Sequence, residues 1–287
     1  MTTTTALAQY ETDLRSVARR SENTVRAYLC DLRLVSGRVN DLLGASHAEL
    51  GRAVGSLADS GYAAARQIRV VAALRSFYGF SVRMGVREDD PSEALPRPSV
   101  ARRLPVVTDG SGVRRLIDAA ARETRFYSQR DQAIVIALAG CGLRRHEVAA
   151  LDVEDVDVER ATVRVRSGKG QREREVPVVD GLAILAAHAA AMGSGPLFVG
   201  HRGSRMTGSG VWRVVRRLAE DAGLEDITPH TLRRTYATGL HEGGQDIYAI
   251  SAALGHSSIE TTRRYVRANP RKVIVETNLY GLESEHV

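Results

Sequence analysis

The sequence predicts a mainly α-helical protein of two domains with a small antiparallel β-sheet. Three observations lead there. The chain has 287 residues, long enough for two domains of about 100 to 200 residues each. Apolar residues recur at helical spacing through most of it, and one stretch, DVDVERATVRVRSGKGQREREVPVV, alternates apolar and polar residues with the period of a strand. Hydrophobic residues make up 43% and charged residues 26%, the balance of a chain with a sizeable core, which excludes disorder and collagen. No apolar run reaches the roughly 18 residues of a membrane span, and the opening MTTTTALAQYETDLRSVARR lacks the apolar centre of a secretory signal. A cytoplasmic protein is therefore expected. Cys30 and Cys141 are too few for a disulfide framework, and no CxxC pair offers a zinc site.

Residues 21–36 open on a serine cap and place Val25, Leu29, Leu32 and Val35 near helical spacing. A second helix is predicted over 63–84, with Ile68, Val71, Leu74 and Tyr78 as its apolar stripe and Arg66 and Arg69 on another face. The first hundred residues thus read as an all-helical unit. Pro91, Pro96, Pro98 and Pro105 then surround the basic Arg102 and Arg103, a composition suited to a linker. The break falls near residue 104, giving domains over 1–98 and 106–287 joined by 99–105. Helices are predicted over 112–122 and 131–139, followed by Gly140 and Gly142 around Cys141 and a short helix over 144–151. Val163 and Val165 on one side of SGKG, with Val176 and Val178 on the other, predict a hairpin with Lys169 at its tip. Further helices are expected over 209–222, 228–241, 246–254 and 258–266. In 228–241, Thr228 caps, Pro229 suits the first turn, and Gly243 and Gly244 end the element. The spacing sets Leu232, Tyr236 and Leu240 toward a core and aims His230 and Arg233 away from it. The next helix turns Ile247, Ile250 and Leu254 inward and stops at Gly255, so His256 emerges at its end, with Tyr265 nine residues on. There is no internal repeat, and the opening threonine run is the one low-complexity tract.

A net charge of +6 and a pI near 9.6 suit a polyanionic partner, or equally a solvated basic surface. Residues 1–105 hold 15 arginines against 11 acids and residues 106–287 hold 25 basic residues against 23 acids, so both halves share the excess. Of the 40 basic residues only Lys169 and Lys272 are lysine. Coding bias accounts for the composition as a whole. Lys169, however, sits in a small turn where an ammonium can release a proton, which an arginine with a pKa above about 12 cannot.

The segments GCGLRRHEVAALDVEDV, SGKGQREREVP, TPHTLRRTYAT and LGHSSIETTRRYV resemble, in order and spacing, the catalytic boxes of the site-specific tyrosine recombinases, the phage integrase and Xer-type family. The amino-terminal SENTVRAY and RVVAALRSFYGFSVRMGV are similar to that family's core-binding helices, so nearly the whole chain is covered. The resemblance implies a SAM-like, helical core-binding domain over 1–98 and a tyrosine recombinase catalytic domain over 106–287 with a tail from 271 to 287, clamping duplex DNA in a C shape. It implies Arg144, Lys169, His230, Arg233 and His256 as the active-site set, Tyr265 as nucleophile, and Glu147 as support for the first arginine. Arg66, Arg69, Arg102 and Arg103 are candidate DNA contacts. Implied partners are double-stranded DNA with specific recombination sites and a homo-tetramer, or a related recombinase, whose tails pack on neighbours; no membrane, cofactor or metal is implied. Two positions depart from the family pattern: Arg234 stands where histidine is common, and Arg145 where an apolar residue is common.

These residue types suit phosphoryl transfer to tyrosine. Negative charge grows on the nonbridging oxygens during in-line attack, and two arginines can clamp them with planar forks. A tyrosine with an ordinary pKa of about 10 needs a base or a cationic field, here His230 and the arginines. The departing sugar oxygen needs an acid, the role that suits Lys169, and His256 would donate to the phosphate or buttress the tyrosine. Other readings explain less. His146-Glu147 and His241-Glu242 invite a metal, but HExxH and a carboxylate cluster are absent. Neither GxxxxGK[ST] nor GxGxxG occurs. Tyr280 lacks the spacing from Gly255-His256 that Tyr265 has. Cys141 reads as a buried filler, and His47, His146, His188, His201, His241 and His286 as surface or packing groups. A type IB topoisomerase and a catalytically inactive DNA-binding regulator on the same fold are the alternatives.

Overall fold

The computed structural model describes residues 1–96, 107–122, 125–166 and 173–255. The chain forms two compact units, Met1–Arg103 and Leu104–Val287. The first contains α1 (Thr3–Ser16), α2 (Glu22–Ser36), α3 (His47–Asp59) and α4 (Ala64–Arg83). Three of these helices start on a hydroxyl that satisfies an otherwise orphaned N–H: Thr2, Ser21 and Ser46 accept from Thr5, Thr24 and Glu49. The threonine run is thus the first turn of α1 and its cap. The core joins Tyr10 of α1, Leu29 and Leu32 of α2, Leu50 and Leu57 of α3, and Val70, Leu74, Phe77 and Tyr78 of α4. Tyr10 stands edge-on to Phe77, with ring centroids 5.5 Å apart. One residue of the predicted stripe is misplaced: Ile68 is 38% exposed. At about 100° per residue it lies across the helix from the face that Val70, Leu74, Phe77 and Ser81 share.

Arg66 and Arg69 face a buried partner. Asp31 on α2 has no exposed surface, and its carboxylate accepts Arg69 Nε at 2.6 Å and Nη2 at 3.1 Å. Arg66 Nε lies 3.4 Å from the same group, and its guanidinium covers the Tyr62 ring at 4.7 Å. Both arginines therefore tie α4 to α2.

The second unit contains α5 (Gly110–Ala121), α6 (Arg125–Ala139), α7 (Arg145–Ala150), a 3-10 turn (Val153–Asp155), strands β1 (Val156–Asp157), β2 (Thr162–Val165) and β3 (Arg174–Pro177), then α8 (Leu182–Met192), α9 (Gly208–Asp221), α10 (Pro229–Glu242) and α11 (Ile247–Leu254). The centre is α6, whose residues Ala133 to Leu138 are all buried and against which α5, α8 and α10 pack. The hairpin forms as expected, with Val163 opposite Val176 and Val165 opposite Arg174, and β1 adds a third antiparallel strand. Val163, Val165 and Val176 turn inward. Arg174, two residues before Val176, occupies the same inward register. The helix α8 had no periodic signature, because LAILAAHAAAM is apolar almost all round.

Candidate active site

Three turns of chain build the site. Thr228 caps α10 by accepting the Thr231 N–H, and Pro229 fills the first turn. His230 stays open to solvent, but Arg233, expected beside it on a polar face, is only 2% exposed. Arg233 Nη1 donates to the Gly142 carbonyl at 2.8 Å and Nη2 to the Leu254 carbonyl at 2.6 Å, so the side chain is held between two loops that spacing along α10 does not register. The second turn is at Gly142, whose φ is +63° and where a Cβ would come within 2.4 Å of the Tyr236 ring. Only glycine reaches that conformation without strain and presents its carbonyl to Arg233.

Arg144 follows as the residue preceding α7. Its N–H donates to Glu147 Oε2 at 2.7 Å, its Nη1 to Oε1 at 2.9 Å, and its Nη2 to the Gly255 carbonyl at 3.0 Å. Glu147 is 6% exposed and gathers two further guanidiniums. Arg174 Nη2 donates to Oε2 at 2.9 Å, and Arg233 Nη1 lies 3.6 Å from it. Burial by itself would raise the Glu147 pKa, but the Arg174 hydrogen bond, the Arg144 N–H and both charges outweigh it and hold the carboxyl below its ordinary range. Three cations on one anion leave a surplus of positive charge, fixed in orientation by carbonyls and carboxylate.

That surplus opens onto a cavity of about 370 Å³ lined by Arg144, Arg145, His146, Trp212, His230 and Arg233, with Thr228 and Pro229 completing the wall. Partial loss of hydration where the ring meets the cavity wall, then the charges of Arg234, Arg233 and Arg144, lower the His230 pKa and favour the neutral imidazole. His146, read from sequence as a surface or packing group, stands in the cavity wall, and loss of hydration lowers its pKa too. Sequence reasoning gave Arg145 and Trp212 no role here; Trp212, an aromatic 41% exposed, is a signal that appears only in the fold. It also missed Arg174, for which an arginine at an inward strand position was the available sign. A larger cavity of about 570 Å³ lies elsewhere, along α6 and α9, where Arg130 and Arg217 pair with the buried Asp131. It holds none of the predicted residues. Cys141 is buried and its thiol pushed up to about 12, an inert filler as expected.

Lys169, His256, Tyr265, Arg102 and Arg103 lie outside the described residues, as do the linker 99–105, the predicted helix 258–266 and the tail. Among the described residues no helix is long and apolar enough to cross a membrane, and no three His, Cys, Asp or Glu side chains gather as a metal site.

Residues 107–272 match the Phage integrase family, and residues 7–85 match the Phage integrase, N-terminal SAM-like domain. The chain belongs to the phage integrase family. The tyrosine recombinase XerC of Corynebacterium efficiens is 34% identical over 264 residues, covering 90% of this chain and 85% of the relative. That of Erythrobacter litoralis is 36% identical over 281 residues, covering 95% and 90%. Among solved structures, the XerA recombinase superposes with a TM-score of 0.53 at 27% identity, covering 93% of this chain and 95% of that one. A lambda integrase dimer bound to a COC′ core site shares the fold with a TM-score of 0.76 at 17% identity, over 92% of this chain and 77% of that one. The chain is an enzyme, a site-specific tyrosine recombinase, and neither a topoisomerase nor an inactive regulator is favoured.

Proposed function

We propose that this recombinase cuts and rejoins double-stranded DNA at specific sites through a 3′-phosphotyrosine, with Arg144, Lys169, His230, Arg233, His256 and Tyr265 as its catalytic residues. The observation that carries the reading is the convergence of Arg144, His230 and Arg233 on one cationic cavity although α7 and α10 are far apart in sequence. Arg144 and Arg233 hold the nonbridging oxygens of the scissile phosphate, where charge develops during in-line attack. The Tyr265 hydroxyl oxygen forms the new bond to phosphorus, and its proton passes to the neutral His230 imidazole. The bond to the 5′ oxygen breaks, and Lys169 supplies that oxygen with a proton. His256 donates to the phosphate. One phosphate ester replaces another, so a 5′-hydroxyl from a second strand can reverse the step and release the tyrosine. Side chains supply all the charge and protons these steps use, with no cofactor or metal assigned a role. Strand exchange between two duplexes then engages a tetramer of this chain, or of this chain with a related recombinase, the tail from 271 to 287 packing on a neighbour. The protein works in the cytoplasm, where its DNA is.

The test begins by sequencing DNA that the wild-type chain traps covalently, then placing that site in a nicked suicide duplex. Tyr265→Phe is expected to bind it and give no covalent band on a denaturing gel, since only the nucleophilic oxygen is lost. A band of wild-type intensity overturns the assignment and points to Tyr280.

A further inference from the structure

We infer that Arg174 is a positioning residue for the recombination chemistry, setting the orientation of Arg144 through Glu147 and tying both to the end of α11. The inference rests on the reading that Arg144 holds the scissile phosphate. Arg174 is not among the described residues that line the cavity and its side chain is 12% exposed, so its role runs through the groups it touches. Its contacts instead close a ring. Nη2 donates to Glu147 Oε2 at 2.9 Å and Nε donates to the Ala253 carbonyl at 2.9 Å. Arg144 runs parallel to it, from Glu147 to the Gly255 carbonyl. Two guanidiniums thus bridge one carboxylate to the C-terminal end of α11, Arg174 at a carbonyl of its last turn, the negative end of the helix dipole, and Arg144 at the carbonyl of the glycine that caps it. The approach is tight, for Gly255 sits at φ +61° and a Cβ there would lie 3.0 Å from the Arg174 guanidinium.

The ring explains why an arginine is needed at an inward strand position. Glu147 Oε2 is shared by the Arg144 N–H and Arg174, while Oε1 carries Arg144 Nη1, so loads on both oxygens set the plane of the carboxylate. Without Arg174 the carboxylate is free to turn toward Arg233, whose Nη1 is already 3.6 Å away, and Arg144 turns with it. A lysine offers a point charge and cannot span Glu147 and Ala253 as a planar fork does.

The experiment measures single-turnover formation of the covalent complex on the nicked duplex described above, with melting temperature and site affinity measured beside it. Arg174→Gln is expected to slow cleavage about 100-fold, the cost of misplacing a reacting group by about an ångström, with affinity changed by less than about threefold. Arg174→Lys, which keeps the charge, falls between it and the wild type. A second duplex carries a methylphosphonate in place of the scissile phosphate, removing the charge that Arg144 offsets. On it the penalties of Arg144→Ala and Arg174→Gln are both expected to shrink, because both act on that charge. Cleavage by Arg174→Gln at the wild-type rate, or an equal penalty on both duplexes, overturns the positioning role and leaves Arg174 a packing residue. If Arg174→Gln does not fold, Arg174→Lys carries the same comparison, and a wild-type rate for it overturns the proposal. Arg144→Ala separates the two readings: slow cleavage by it with fast cleavage by Arg174→Gln removes only the inference, whereas fast cleavage by Arg144→Ala removes the phosphate-binding reading and the inference with it.

Discussion

Replacing Glu147 with glutamine keeps the shape of the side chain and removes the charge on which Arg144, Arg174 and Arg233 converge. The carboxylate accepts three hydrogen bonds, at 2.7, 2.9 and 2.9 Å. A glutamine has one acceptor oxygen. Turned toward the Arg144 N–H and Arg174, it sets its own NH₂ against Arg144 Nη1, donor facing donor. One charge-assisted bond, about 1.5 to 3 kcal/mol, is lost outright. The remaining guanidiniums, with side chains only 25%, 12% and 2% exposed for Arg144, Arg174 and Arg233, are left without their counter-charge. Breaking a buried pair from one side typically costs about 3 to 5 kcal/mol. For a unit of this size that is roughly 6 to 20 °C in melting temperature. The pH dependence has a definite sign. The Glu147 pKa is held below its ordinary value of 4.5, so its contribution is complete above that value and disappears as pH falls through the lower, folded-state value. Calorimetric melts of the full chain should therefore show the gap between wild type and Glu147→Gln widest near neutrality and closing below about pH 4.5. A variant melting within about 2 °C of wild type at pH 7, or a gap that stays constant into acid, refutes the reasoning.

Gly142→Ala adds a Cβ 2.4 Å from the Tyr236 ring at φ +63° and shifts the carbonyl that Arg233 uses, so denaturant melts should show a loss of more than about 2 kcal/mol; a smaller loss shows that the loop relaxes freely. Asp31→Asn leaves Arg69 and Arg66 against a neutral, buried amide, and the amino-terminal unit should lose about 1 to 3 kcal/mol, tempered because both arginines are partly open to water. An unchanged melt contradicts that anchoring role. Followed by NMR in the free chain, the His230 ring should titrate below its ordinary 6.5, and Arg234→Ala, which removes one of the positive charges acting on it, should move the midpoint up. A wild-type midpoint at or above 6.5 would show that hydration and nearby cations do not control it.

Much of this architecture is written in local sequence. Thr228, Pro229 and Gly243 bound α10 because cap and turn chemistry act within one helical turn, and alternation of valines places β2 against β3 for the same reason. The three-residue spacing of Arg144 and Glu147 puts the two within reach of one another before any tertiary contact is made. The order of the motif boxes was enough to expect the recombinase family, as four separate segments must match together. What the local pattern could not decide is where long side chains end. Arg233 left its expected polar face for carbonyls 91 residues upstream and 21 downstream. Arg66 and Arg69 turned to a buried aspartate on the neighbouring helix, and Trp212 and His146 met Arg144 and Arg233 in one cavity wall. Arg174 reaches Glu147 across 27 residues and Ala253 across 79. Periodicity reports only the face from which a side chain leaves its backbone. A guanidinium about four bonds farther out is placed by whichever carbonyls and carboxylates packing brings within hydrogen-bond reach, and those arrive only with the tertiary fold.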